Sequence, residues 1–220
     1  MENREIYAHV DHTLLKPDAS WCEIEQLCRE AVAYQTASVC VPPSYVGRIA
    51  RAFPALNLCT VAGFPLGYLP PEIKYAEAEA VIAAGADEVD MVINLGDVKN
   101  GDYDRVTQEI AGMKTICADK LLKVIIETCY LTEQEKIILC GCVTNAGADY
   151  IKTSTGFGPS GAVMADIRLF KQHIGPRVKI KAAGGIRSRE DMVAFIEAGC
   201  GRLGTSSAVK LLSGEAGDGY

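Results

Sequence analysis

The chain alternates short apolar runs with longer segments whose apolar residues recur with the period of a helix. The short runs are rich in β-branched residues and have the length of a strand, and each intervening segment is long enough for one helix. This alternation is typical of parallel β-α-β units rather than of hairpins. We predict eight strands, at residues 8–12, 37–41, 58–63, 87–93, 122–128, 149–152, 178–182 and 202–204.

The helical segments also carry start and stop signals. Ser20 with Glu23 and Thr132 with Glu135 have the spacing of capping boxes, and a glycine precedes the fourth, sixth and eighth strands. Eight such units close most naturally into a (β/α)8 barrel, a TIM barrel, although an open doubly wound sheet gives a similar local pattern. The repetition favours closure. We therefore expect one TIM-barrel domain over residues 1–220, with 213–220 as a flexible C-terminal tail.

Composition narrows the possible partners. The net charge is −6 without a long run of Lys or Arg, which argues against binding to nucleic acid or to an acidic membrane surface. No apolar stretch approaches the length of a membrane span and no secretion signal opens the chain, so we expect a cytoplasmic protein. The nine cysteines form no CxxC pair and face no histidine cluster, which predicts reduced core thiols and no metal. The expected partner is a small molecule, and a homodimer is expected for a small barrel.

Ionisable residues interrupt the apolar strands. In a TIM barrel the reactive groups project from the C-terminal ends of the strands, and a buried charge is costly unless it is paired. The residues of this kind are Asp11, Asp90, Lys123, Lys152 and Lys181. The three lysines follow one another at intervals of 29 residues, so they can occupy comparable positions on three consecutive strands. The sequence thus predicts that three ammonium groups converge.

Such a cluster can serve chemistry or structure. Crowding and desolvation lower the pKa of a lysine and make its amine nucleophilic, and Asp90 could then move protons. A single strand-end lysine more often makes a structural ion pair, here with Asp11, Asp90 or Glu127. Three lysines in register with two aspartates favour a functional site. Glu88 and Glu127 are either partners of the lysines or ordinary charges at a strand start and in a loop.

Glycine-rich turns follow the last three predicted strands. The turn at 184–187 and the stretch 204–207 expose backbone N–H groups, and Ser206 and Ser207 add hydroxyl groups. Loops after strands seven and eight form the recurrent phosphate site of TIM barrels, although ordinary tight turns are the alternative. The loop 155–161 is either a cradle for the ligand or a plain connection. Together these turns predict a phosphorylated substrate.

Seven motifs, in order along the chain, carry a resemblance to a known family. From end to end the chain resembles the deoxyribose-phosphate aldolases. The motifs are DHTLLKP at 11–17, SVCV at 38–41, GFPLG at 63–67, GADEVDMV at 85–92, KVIIET at 123–128, KTSTGF at 152–157 and GGIR at 184–187.

This resemblance implies a class I aldolase that reversibly splits 2-deoxy-D-ribose 5-phosphate into acetaldehyde and D-glyceraldehyde 3-phosphate, without a metal or organic cofactor. It implies that Lys152 forms the Schiff base, that Asp90 with a water donates and accepts protons, and that Lys181 lowers the pKa of Lys152 and transfers protons. Asp11 and Lys123 support them. The implied phosphate site consists of Gly156, Gly184, Gly185, Gly204, Ser206 and Ser207.

Tyr220 and two rival functions stay open at this point. Members of the family often end in tyrosine, and our hypothesis is that Tyr220 assists proton transfer to the enamine. The alternative is that Tyr220 belongs to a disordered terminus without a catalytic role. A sugar-phosphate isomerase with a carboxylate base would form no covalent adduct. A barrel that binds a phosphorylated metabolite and regulates a partner would keep binding its ligand without Lys152.

Overall fold

The eight strands form a closed parallel barrel in a computed structural model that describes residues 1–214. Each strand pairs with the next along the chain, and the last pairs with the first. All eight predicted strands are present, with ends shifted by at most three residues. The strands are β1 Val10–Thr13, β2 Ser38–Val41, β3 Leu58–Ala62, β4 Glu88–Val92, β5 Leu121–Ile125, β6 Tyr150–Lys152, β7 Lys179–Ala183 and β8 Cys200–Thr205.

Helices follow the strands and surround the barrel. Both predicted capping boxes are present, because the side chains of Ser20 and Thr132 accept hydrogen bonds from backbone N–H groups three residues later. The α-helices of the described residues are α1 Asn3–Tyr7, α2 Trp21–Tyr34, α3 Val46–Ala52, α4 Pro71–Ala83, α5 Leu95–Asn100, α6 Tyr103–Cys117, α7 Glu133–Asn145, α8 Met164–His173, α9 Arg189–Glu197 and α10 Ala208–Ser213. None of them is long and apolar enough to cross a membrane.

The described residues reach only the first two positions of the predicted C-terminal tail. Ser213 is the last residue of α10, and Gly214 ends that helix with a φ of 87°. The apolar residues Leu211 and Leu212 pack against the core, and the helix ends one residue later, at Ser213. The rest of the predicted tail, including Tyr220, lies outside the described residues.

The strands have two different faces. Their outward residues, such as Val39, Val89 and Ile151, pack against the helices in one large apolar core. Each buried side chain of this size contributes about 1.5–3 kcal/mol to stability, so this outer core holds the fold together. Seven of the nine cysteines are buried free thiols, as predicted, whereas Cys22 is exposed and Cys129 is half-buried.

Candidate active site

The barrel interior is filled by side chains from alternate strands. In most TIM barrels these layers consist of branched apolar residues. Here strand register and side-chain contacts define a lower layer of Ser38, Glu88, Tyr150 and Arg202, a middle layer of Asp11, Cys59, Lys123 and Lys181, and an upper layer of Cys40, Asp90, Lys152 and Gly204. Seven of these twelve residues carry an ionisable carboxylate, ammonium or guanidinium group, so the interior is built for electrostatics rather than for packing.

Asp90 lies at the centre of the charged cluster. Its Oδ2 accepts hydrogen bonds from Nζ of Lys152 and from Nζ of Lys181, each at 2.7 Å. Its Oδ1 accepts one from Nζ of Lys123 at 2.8 Å. Lys181 also donates to Oδ2 of Asp11 at 2.5 Å. The five residues predicted from the strands are thus in direct contact, and all are buried.

A pocket opens above this cluster at the C-terminal end of the barrel. Lys152 lies at its base, and all six residues predicted for a phosphate site line it. The lining residues are Thr13, Leu15, Lys152, Thr155, Gly156, Ala183, Gly184, Gly185, Ile186, Gly204, Thr205, Ser206 and Ser207. Gly184 and Gly185 have φ values of 74° and 71°, a conformation that suits glycine, and the turn brings backbone to the pocket wall.

The loop 155–161 contributes its first two residues, Thr155 and Gly156, to the lining of the same pocket. The backbone N–H of Thr155 donates to Oε1 of Glu127 at 3.1 Å, and its hydroxyl donates to Oε2 of the same carboxylate. The ring of Phe157 meets that of Phe64 edge to face at 5.4 Å. Glu127 therefore holds the start of this loop in place.

Comparison with known proteins adds the chemistry of a family to this geometry. Residues 6–208 match the model of the DeoC/LacD family aldolases. The chain belongs to this family. It is 59% identical over 221 residues to a deoxyribose-phosphate aldolase of Clostridium botulinum (strain Alaska E43 / Type E3), with all of both chains covered. It is 54% identical over 213 residues to that of Clostridioides difficile (strain 630), covering 96% of this chain and 97% of the relative.

Solved structures of the DeoC/LacD family have the same fold. The tetrameric deoxyribose phosphate aldolase from Aeropyrum pernix superimposes with a TM-score of 0.90 at 34% identity, covering 96% of this chain and 91% of that one. The resemblance found in the sequence motifs and the predicted barrel are thereby confirmed. So is membership of an aldolase family, which favours the lyase over the isomerase and the binding protein.

The lysines differ from the sequence-based expectation in their pKa. Burial alone lowers the pKa of Lys181, but the carboxylates of Asp11 and Asp90 outweigh burial and hold this pKa well above its usual range. Lys123 shows the same balance, so its pKa is also raised. The prediction that crowding lowers a lysine pKa is wrong for these two members, because the attraction of the neighbouring carboxylates outweighs burial and the repulsion between ammonium groups.

Asp90 keeps its charge for the complementary reason. Burial alone raises the pKa of its carboxyl group, but Lys123, Lys152 and Lys181 outweigh burial and hold this pKa well below the usual range. Asp11 behaves alike beside Lys181, Lys123 and Arg202. Both aspartates of this DeoC/LacD family barrel are therefore held in the charged form.

Of the lower layer, sequence reasoning named Glu88 as a possible partner of the lysines, and it pairs with Lys123, but Tyr150 and Arg202 were missed. Arg202 donates from Nε to Oδ1 of Asp11 and from Nη2 to Oε1 of Glu88, both at 2.9 Å, and Nη1 lies 3.3 Å from the Tyr150 hydroxyl. A signal for these residues was present in the sequence. Glu88, Tyr150 and Arg202 each stand two positions before an upper-layer residue, and side chains two apart in a strand share a face.

Two groups of side chains in the described part of the chain have the spacing of metal ligands. Cys40, Cys59 and Asp90 form one, and Asp11, Cys59 and Glu88 form the other, with ligand atoms within 4.8 Å of one another. However, Nζ of Lys123 lies 3.2 Å from Sγ of Cys59, 2.8 Å from Asp90 and 2.5 Å from Glu88. A metal ion would have to displace this ammonium group, so the donor atoms do not fit a metal well.

Proposed function

We propose that this protein is a class I aldolase that reversibly splits 2-deoxy-D-ribose 5-phosphate into acetaldehyde and D-glyceraldehyde 3-phosphate, with Lys152 as the Schiff-base nucleophile. The observation that carries this proposal is the position of Lys152. It lines the pocket and touches the charged cluster at the same time, whereas Lys123 and Lys181 are fully buried beneath it. A substrate carbonyl in the pocket therefore meets the amine of Lys152 first.

The charge balance of the interior supports the same assignment. Within residues 1–214 the cluster holds four cationic side chains and three carboxylates, which are Lys123, Lys152, Lys181 and Arg202 against Asp11, Glu88 and Asp90. Loss of one proton leaves it neutral. Lys123 and Lys181 each bridge at least two carboxylates, whereas the ion pair of Lys152 is with Asp90. Lys152 is thus the amine that is released from the cluster at the lowest cost.

The proposed reaction needs an amine and a proton carrier. The amine of Lys152 adds to C1 of the open-chain sugar, and loss of water gives an iminium. Removal of the proton from the 3-hydroxyl then breaks the C2–C3 bond, and its electrons pass to the iminium to give an enamine. Protonation of C2 and addition of water release acetaldehyde. Our candidate for these proton transfers is Asp90, acting with a water. Oδ2 of Asp90 lies 2.7 Å from Nζ of Lys152 and accepts a hydrogen bond from Lys181 as well.

The glycine turns of the pocket fit the phosphate of such a substrate. We propose that Gly156, Gly184 and Gly185 offer backbone N–H groups and that Gly204, Ser206 and Ser207 complete the site. Binding energy from a phosphate that does not react would orient the carbons that do. Asp11 and Lys123 are proposed to hold Asp90 and Lys181 in place, as their ion pairs support.

Replacement of Gly161 by alanine is expected to damage the phosphate site selectively. A Cβ at this position would lie 2.2 Å from the carbonyl carbon of Gly184 and 2.6 Å from the nitrogen of Gly185, so that turn must move. Misplacement on the scale of 1 Å can cost about 100-fold in rate, and we expect kcat/KM to fall by about 10- to 100-fold. Steady-state kinetics with 2-deoxyribose 5-phosphate measure this.

The control for this substitution is Gly141→Ala in α7. No heavy atom lies within 4 Å of a Cβ built there, and alanine favours a helix, so activity should be unchanged and stability equal or slightly higher. Equal kinetics of the two variants would remove the 184–185 turn from substrate binding. A loss that is similar for the non-phosphorylated sugar would also contradict the proposed phosphate role.

Several further assignments belong to the same proposal. A single domain, a homodimer and a cytoplasmic location stay predictions, and the free thiols of the chain fit a reducing compartment. Proton transfer by Tyr220 is a hypothesis about a residue outside the described part. No metal or organic cofactor takes part in the proposed chemistry.

The proposed function is tested by trapping the Schiff base. The protein is incubated with 2-deoxyribose 5-phosphate or acetaldehyde, reduced with borohydride, digested and mapped by mass spectrometry, with Lys152→Ala as control. A reduced adduct on Lys152 that is absent from the variant is the expected result. An adduct on Lys123 or Lys181 would keep the reaction class and overturn the assignment, and no adduct with either compound would overturn the proposed function.

A further inference from the structure

Arg202 has no part in the proposed bond-making steps, yet it closes the lower end of the charged cluster. Its side chain lies in the lower layer, largely buried, and its guanidinium group is permanently charged. Burial alone disfavours that charge, but Asp11 and Glu88 outweigh burial and hold the pKa of Arg202 above its usual range. A charge buried under a reactive site acts on every group above it.

Two chains of contacts lead from Arg202 to Asp90. In the first, Nε of Arg202 lies 2.9 Å from Oδ1 of Asp11, whose Oδ2 lies 2.5 Å from Nζ of Lys181, which contacts Oδ2 of Asp90 at 2.7 Å. In the second, the steps run through Glu88 and Lys123. Nη2 of Arg202 lies 2.9 Å from Oε1 of Glu88, and Oε2 of Glu88 lies 2.5 Å from Nζ of Lys123. This nitrogen lies 2.8 Å from Oδ1 of Asp90.

Because each chain uses a different nitrogen of one planar group, Arg202 fixes both carboxylates at once. In each carboxylate, one oxygen contacts Arg202 and the other contacts a lysine. Lysine has a single ammonium group and cannot reproduce this fork. Ser38 and Asn57 donate to the same two oxygens, at 2.8 and 2.6 Å, and so hold the carboxylates from the side.

We propose that Arg202 is a positioning residue that aligns Asp90 through these two chains and supplies the surplus positive charge that lets Lys152 react as a free amine. This inference rests on the proposed function. Without Arg202 the cluster would hold three cations and three carboxylates. It would then be neutral with Lys152 protonated, and the amine would be harder to free.

Other ionisable groups face the same interior and are included in this balance. Asp90 and Lys152 lie above, Lys123 and Lys181 beside, and the Tyr150 hydroxyl next to the guanidinium group. Within residues 1–214, the ionisable groups on the inward positions of the strands are Asp11, Cys40, Cys59, Glu88, Asp90, Lys123, Tyr150, Lys152, Lys179, Lys181 and Arg202. The guanidinium of Arg202 holds its charge at every pH of interest, because arginine is not deprotonated in proteins.

The test is the pH dependence of kcat/KM for wild type, Arg202→Met and Arg202→Lys. For Arg202→Met we expect the acid limb of this profile to move to higher pH by about one unit, which is the usual scale of such shifts in proteins. Arg202→Lys restores the charge without the fork, so its acid limb should stay near that of wild type while its plateau rate falls. Arg105→Met, an exposed arginine on α6, is the charge control and should shift nothing.

If kcat/KM of Arg202→Met falls by the same factor at every pH, Arg202 has a structural role only and the proposal is overturned. An unshifted acid limb would also overturn it. If Arg202→Met does not fold, Arg202→Lys decides, because the proposal requires its acid limb to stay and its plateau to fall. Borohydride trapping on the wild-type protein separates this inference from the proposed function. If Lys152 carries an adduct but the acid limb of Arg202→Met is unshifted, only the role of Arg202 is refuted. If no adduct forms, the proposed function is refuted.

Discussion

Replacing Lys152 by alanine is expected to reduce the turnover of 2-deoxyribose 5-phosphate by on the order of 10,000-fold or more, as loss of a covalent nucleophile does in other enzymes. The neighbouring lysines cannot take over, because Lys123 and Lys181 are fully buried and bound to carboxylates. The fold should survive, since alanine removes the cation that is in excess. Release of glyceraldehyde 3-phosphate, followed in a coupled assay, measures the effect.

Lys120→Ala is the matched control for this substitution. Lys120 stands just before β5, where its ammonium group pairs with Asp87 at 3.0 Å near the surface. Such exposed pairs contribute about 0–1 kcal/mol, so activity should stay within about twofold of wild type. Residual turnover above about 1% in Lys152→Ala would contradict the assignment of the nucleophile, because a 10,000-fold loss leaves far less.

Asp90→Asn is expected to lower kcat by about 100- to 10,000-fold while the Schiff base still forms on Lys152. Asparagine keeps the shape of the side chain but cannot accept and return a proton, and general acid–base catalysis contributes on this scale. The substitution also leaves three buried ammonium groups facing one carboxylate fewer. Loss of one partner from a buried ion pair costs about 3–5 kcal/mol, so the free energy of unfolding should fall by a similar amount.

The two effects are measured separately. Borohydride trapping reports Schiff-base formation, single-turnover kinetics report carbon–carbon cleavage, and urea denaturation reports stability. The control is Asp87→Asn, because Asp87 accepts hydrogen bonds from Lys120 and from the backbone N–H of Leu58, away from the cluster. A kcat within tenfold of wild type in Asp90→Asn would assign the proton transfers to another group.

The fold was readable from the sequence because its signals are local. Each strand is a short apolar run, each helix has its own period, and capping residues such as Ser20 mark the starts. The spacing of Lys123, Lys152 and Lys181 was equally readable, since one β-α unit separates each from the next. What these signals fix is the order of the elements and the positions of side chains along them.

The pairing of charges was not readable, because it depends on distances across the barrel. Lys181 on β7 meets Asp11 on β1, 170 positions earlier, and this contact sets the direction of its pKa. Arg202 is the first residue of the predicted eighth strand, and its position in the sequence names no partner for it. Its role appears only when the barrel closes and brings β8 against β1.

The two faces of each strand serve different ends, and this division has an evolutionary consequence. Along β4, Val89 and Met91 belong to the outer apolar core, whereas Glu88 and Asp90 belong to the charged interior. Selection on stability and selection on chemistry therefore act on alternate positions of the same short strand. Stability can thus change in evolution through substitutions at the outward positions, while the inward positions keep the charged side chains of the interior.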